Sequence, residues 1–189
     1  MRIVTSFLLL VCLFAGTMIG AGPVPRKAPE FVIQTPDGKQ LLLSSYRGKA
    51  VALALMFTTC PHCQKMTKEV LTGIARDYEG KGGQVLGATI NADAARDIQM
   101  FNRAFGVNFP CGISTEAAAR QFLGLKADEP YFVPILVFID KTGMIRGQYI
   151  GDEKFLANQD GNIRAELDKL IKGTPPSSAK KAAVKAPKS

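Results

Sequence analysis

Cys60-Pro61-His62-Cys63 places two thiols three residues apart, a spacing that lets them close a small, reversible disulfide when they sit at the start of a helix. Pro61 suits the first helical position, where its missing N–H costs nothing. Cys60 then becomes the cap residue, facing unpaired backbone N–H groups and the positive end of the helix dipole, a field that favours thiolate over thiol. His62 adds a partly protonated imidazole beside that sulfur, and Cys63 stands one turn on, within reach to resolve a mixed disulfide. A structural zinc site would need about four N or S ligands. His62 is the sole histidine and there is no second Cys-X-X-Cys, which argues against zinc. A purely structural disulfide is a poor alternative, because so short a loop removes little entropy from the unfolded chain. Redox chemistry at Cys60 is the reading that remains.

The pair must be carried by an element that ends where it begins. The apolar run Ala50 to Phe57 leads into it, and Thr58-Thr59 separates strand from motif. A strand followed by a helix presents the dithiol at the carboxyl edge of a sheet, where open α/β sheets place their sites. Pro61 to Tyr78 reads as a helix with Met66, Val70, Leu71 and Ile74 on one face, stopped near Gly80. Gln84 to Asn91 reads as a buried strand, and Ala94 to Phe105 as a helix ended by Gly106, with Ile98, Met100, Phe101 and Phe105 assigned to the core. Thr115 to Leu123 is a helix with a Thr-Glu start. Ile135 to Ile139 and Met144 to Ile150 form a hairpin across Lys141-Thr142-Gly143, and Asn162 to Ile171 closes the domain as a helix. No internal repeat is present. Strands alternating with helices give an α/β or α+β fold with a mixed sheet.

Longer stretches carry a family likeness. Ala28-Pro29-Glu30-Phe31, Thr35-Pro36-Asp37-Gly38-Lys39 and Leu43-Ser44-Ser45-Tyr46-Arg47-Gly48-Lys49 resemble the N-terminal hairpin of TlpA/ResA-like periplasmic thioredoxin-fold proteins. Tyr131-Phe132-Val133-Pro134-Ile135-Leu136-Val137-Phe138-Ile139-Asp140 resembles that family's cis-proline strand, and the likeness spans roughly residues 28 to 172. It implies a thioredoxin-like fold: a central mixed β-sheet flanked by helices, with an N-terminal β-hairpin and a TlpA-type βα insertion. It also implies that Pro134 faces the cysteine pair. The ring supplies no N–H, which leaves the Val133 backbone free to pair with an extended substrate segment. The implied activity is protein thiol-disulfide exchange, with Cys60 as nucleophile and Cys63 resolving.

Three positions depart from relatives of this fold. Thr59 stands where an aromatic residue, commonly Trp, precedes the first cysteine; Ala54 replaces a buried acid; and Met66 replaces the acid of ResA-like reductases. The general acid/base is therefore unassigned. Pro61-His62 and Val133 resemble DsbA-like oxidases, so scaffold and dipeptide point in opposite redox directions. A copper chaperone or carrier on the same fold is the alternative, since Cys60, Cys63 and His62 are soft enough ligands for Cu(I). Sco-type proteins, however, place three residues between the cysteines and recruit a distant histidine. A peroxiredoxin reading is weakened by Phe57, which stands where that family carries Thr. No cofactor and no metal are expected at the pair.

A chain of 189 residues that is 47% hydrophobic can bury a core without structural disulfides. Residues 1–22 read as a signal peptide, with Arg2 ahead of the apolar run Ile3 to Ala21 and small residues at its end; a retained membrane anchor is the alternative. The thioredoxin-like domain is expected over 23–173, and the Lys/Pro/Ala-rich stretch 174–189 as a disordered tail. Of the net charge of +8, five positive charges belong to Arg2, Lys180, Lys181, Lys185 and Lys188, which leaves +3 for residues 23 to 173. The basicity thus says little about the folded domain. The tail lysines suit weak contact with an anionic surface, and no nucleic-acid partner is expected. The expected location is periplasmic or secreted, or membrane-anchored with the domain outside the cytoplasm. The expected partners are protein thiols and disulfides and a redox protein of the membrane or envelope. Cys12 lies inside the apolar run, so removal of that segment leaves Cys60, Cys63 and an odd third thiol, Cys111, which reads as a buried core residue.

Overall fold

The computed structural model describes residues 22–173; the expected signal segment and the lysine-rich tail lie outside the described residues. Eight strands, β1 (Arg26–Lys27), β2 (Val32–Gln34), β3 (Gln40–Leu42), β4 (Ala50–Met56), β5 (Gly83–Thr89), β6 (Cys111–Ile113), β7 (Ile135–Ile139) and β8 (Met144–Ile150), form one mixed sheet. Their order is β1-β8-β7-β4-β5-β6-β2-β3. The centre is β4, parallel to β5 and antiparallel to β7. The β2–β3 pair is the N-terminal hairpin, and β2 docks on β6 through Gln34 and Ile113.

Every side chain of β4 is buried, and the two faces differ in size. Ala50, Ala52 and Ala54 face one core; Val51, Leu53 and Leu55 face the other. The alanines leave room for helices to lie close to the sheet. On that side pack α1 (Pro61–Met66), α2 (Thr72–Tyr78), α3 (Ala94–Ala104), the short α5 (Glu153–Leu156) and α6 (Gln159–Lys172). The larger side chains meet α4 (Glu116–Leu123) and the N-terminal segment, with Phe31 and Phe122 rings 4.9 Å apart.

The expected helix over 61–78 is continuous but not uniform. A π-helical turn at Thr67–Leu71 separates α1 from α2. The sequence explains why: Met66, Val70, Ile74 and Tyr78 recur every four residues and all are buried. In a regular α-helix that spacing drifts by about 40° per step, so the stripe would rotate off the sheet. One wider turn offsets part of that drift.

Other differences are local. Met100, assigned to the core, is 62% exposed, because it lies about 200° around α3 from Ile98, on the face away from Phe101 and Ala94. The closing helix α6 begins three residues before Asn162, and α5 and β1 are elements that no sequence pattern marks. No helix among the described residues is long and apolar enough to cross a membrane.

Candidate dithiol active site

Cys60 lies just beyond β4, as the N-cap of α1, with φ −80° and ψ 118° and Pro61 opening the helix. Extended backbone at the cap turns the chain out of the strand and aims the first free N–H groups of the helix at the Cys60 end. Cys60 is partly exposed, and Pro61 and His62 are exposed. Cys63, one turn on, is fully buried and belongs to the helix-side core with Met66 and Val70. That burial pushes its thiol up, and hydrogen bonding and charge interaction with Cys60 add to the effect. The two sulfurs are therefore close but unequal, one reachable and one kept protonated.

Across from the pair lies the loop before β7. Cys60 Sγ points at the carbonyl oxygen of Val133, 3.9 Å away, and the Val133–Pro134 peptide bond is cis. Pro134 is buried and Val133 half-buried, while Phe132 is 75% exposed. His62, Phe132, Val133, Pro134 and Leu156 border a groove of about 520 Å³, which reaches the dithiol region through His62 and Val133 without being lined by either cysteine. The structure thus gathers the six residues singled out in the sequence into one region, with Cys60, Pro61, His62 and Val133 at least partly exposed and Cys63 and Pro134 buried beneath them. Ala54 and Met66, which stand where the family resemblance implies acids, are both fully buried. Among the described residues no group of three His, Cys, Asp or Glu side chains gathers as metal ligands would.

The sequence reading missed the support beneath the loop. Thr58 is held by Asn91, Gln64 and Asp97, residues from three other elements or their ends. Cys111 lies apart from the dithiol, in β6 against Gly87 and Phe109, and burial pushes its thiol up to about 12.

A mixed sheet whose central strand delivers a Cys-X-X-Cys pair to a helix N-terminus, opposite a proline loop, defines a thioredoxin-like oxidoreductase. Residues 24–148 match the AhpC/TSA family, and the chain belongs to it. It is of the TlpA/ResA-like kind. Thiol-disulfide oxidoreductase ResA of Bacillus thuringiensis (strain Al Hakam) is 27% identical over 131 residues, covering 69% of this chain and 71% of that one. ResA of Geobacillus kaustophilus (strain HTA426) is 29% identical over 123 residues, covering 65% and 67%. The crystal structure of a thiol:disulfide interchange protein of the thioredoxin family from Chlorobium tepidum TLS superposes with a TM-score of 0.63 at 22% identity, over 80% of this chain and 99% of that one, a likeness of fold.

Proposed function

We propose that the protein exchanges thiols and disulfides on exported proteins, with Cys60 as the reacting sulfur and Cys63 as the resolving one. The observation that carries this reading is the asymmetry of the pair: a partly exposed sulfur at a helix N-terminus beside a buried, protonated one. In the reductive direction the Cys60 thiolate attacks a client disulfide, the client S–S bond breaks, a Cys60–client disulfide forms, and the released client thiolate takes a proton from water. Cys63 gives up its proton as it attacks the Cys60 sulfur, and the second client thiol departs. The client gains two electrons and the pair becomes a disulfide; oxidation of a client dithiol is the reverse sequence.

Around that chemistry, Pro134 shapes the wall facing Cys60 and His62 sits on the rim beside it. Val133 offers its backbone to an extended client segment lying in the groove. The N-terminal apolar segment supports export, and a redox protein of the envelope would reset the pair.

The test is a trap. Cys63→Ser should accumulate a mixed disulfide at Cys60 with a disulfide-bonded client, and Cys60→Ser should accumulate none. Equal trapping by both variants, or turnover by Cys60→Ser, overturns the assignment. Direction is read from the reduction potential, expected at roughly −150 to −230 mV, between thioredoxin and DsbA values. A value near −270 mV or below assigns the protein to disulfide reduction.

A further inference from the structure

Thr58 stands two residues ahead of Cys60 and is 5% exposed, yet its polar atoms are all engaged by side chains from elsewhere. Its N–H donates to Asn91 Oδ1 at 2.9 Å, and its hydroxyl accepts from Asn91 Nδ2 at 3.0 Å. Its carbonyl accepts from Gln64 Nε2 at 2.8 Å, a residue in the first helix turns after Cys60. The pattern fixes itself. A backbone N–H can only donate, so Asn91 must turn its oxygen to it and its amide nitrogen to the hydroxyl. The hydroxyl then has its proton left for Asp97 Oδ2, 3.5 Å away, and Asp97 is in turn held by Arg96 at 2.9 Å.

The chain between Thr58 and the reactive sulfur is a single exposed residue, Thr59, and the Cys60 N–H is held by the Phe57 carbonyl at 3.2 Å. The clamp on Thr58 therefore fixes the segment that leads into Cys60.

We propose that Asn91 is a positioning residue, which with Gln64 and Asp97 clamps Thr58 so that Cys60 is held beside Cys63, and thereby sets the redox equilibrium of the pair. This rests on the exchange function proposed above. A dithiol already restrained in the closing geometry loses little freedom when the S–S bond forms. Loosening the loop frees the reduced form more than the disulfide form, which the bond itself restrains. The disulfide becomes less favourable and the pair more oxidising.

The experiment is a titration in glutathione buffers. The pair's two thiols and one glutathione disulfide give the Cys60–Cys63 disulfide and two glutathione thiols, so the two electrons and both protons pass to glutathione. Asn91→Ala and the near-isosteric Thr58→Val should each lower the equilibrium constant for disulfide formation by roughly three- to tenfold, the scale of one or two hydrogen bonds. Thr58→Ser, which keeps the hydroxyl, should stay within about twofold of the native protein. A merely structural role would lower the unfolding midpoints of both redox forms equally and leave the constant alone; that result, in either folded variant, overturns the clamp. If the native pair forms no disulfide in these buffers, the exchange function falls and takes the clamp with it.

Discussion

Alkylation of the fully reduced, folded protein separates its three described thiols by environment, and the size of the separation follows from burial. A thiol at the ordinary value of 9.0 is about 1% thiolate at pH 7. Cys111, pushed up to about 12 from an ordinary 9.0, is on the order of a thousandfold poorer in thiolate than an unperturbed thiol. Cys63 is fully buried and displaced in the same direction by the same cause. Reaching either sulfur also requires local opening of a packed core, about 2–3 kcal/mol at the least, or roughly another factor of 10². Cys60, partly exposed, needs no such opening. Brief treatment with iodoacetamide at pH 7, followed by peptide mass spectrometry over a time course, should give Cys60 labelling at least about 1,000-fold faster than Cys63 or Cys111. Rates for Cys63 or Cys111 within tenfold of Cys60 in the folded protein would refute the reasoning.

Gly87 faces the Cys111 side chain so closely that an added Cβ would stand 2.7 Å from its Sγ and 3.1 Å from Phe109 Cε2; Gly87→Ala should cost about 1–3 kcal/mol. That is a fall of several degrees in Tm, and Cys111→Ala should recover part of it in the double variant, as calorimetry would read. The raised Cys111 thiol also makes stability depend on pH: from about pH 9 to 12 the unfolded chain gives up this proton while the folded chain keeps it, so stability falls as pH rises. The slope approaches 1.4 kcal/mol per pH unit. Denaturant midpoints of Cys111→Ala should fall less steeply above pH 9 than those of the native protein; parallel slopes would count against burial as the cause.

The strand into Cys60 and the hairpin after Pro134 were readable because each is a contiguous apolar run bounded by turn residues, and both stand in the structure within a residue of the sequence reading. The start of α6 was not, because Gln159, Asp160 and Gly161 carry no apolar period. Two-residue β1 exists only through its pairing with β8, which no local pattern announces. At the site, the dithiol and its helix were legible from local chemistry, whereas Val133 and Pro134 entered through family likeness. Asn91 was hidden by topology. β4 and β5 are parallel with Met56 opposite Thr89, so residues two further along each strand, Thr58 and Asn91, arrive side by side. Only someone who knew that the two strands were parallel neighbours, and in what register, could have paired them.

The π turn at Thr67–Leu71 has a consequence for how such a chain can vary in length. Deleting one residue there would let α1 and α2 run on as regular α-helix, with the missing residue taken from the wide turn and the faces on either side left nearly in phase. Deleting one residue from α2 instead would turn everything beyond it by about 100° and swing Tyr78 away from Asp168, to which its hydroxyl donates at 2.7 Å. The helix thus contains one place where an insertion or deletion is absorbed between the redox pair and the packing that anchors it, so chains of this design can differ by a residue there and still deliver the same two sulfurs to the same edge of the sheet.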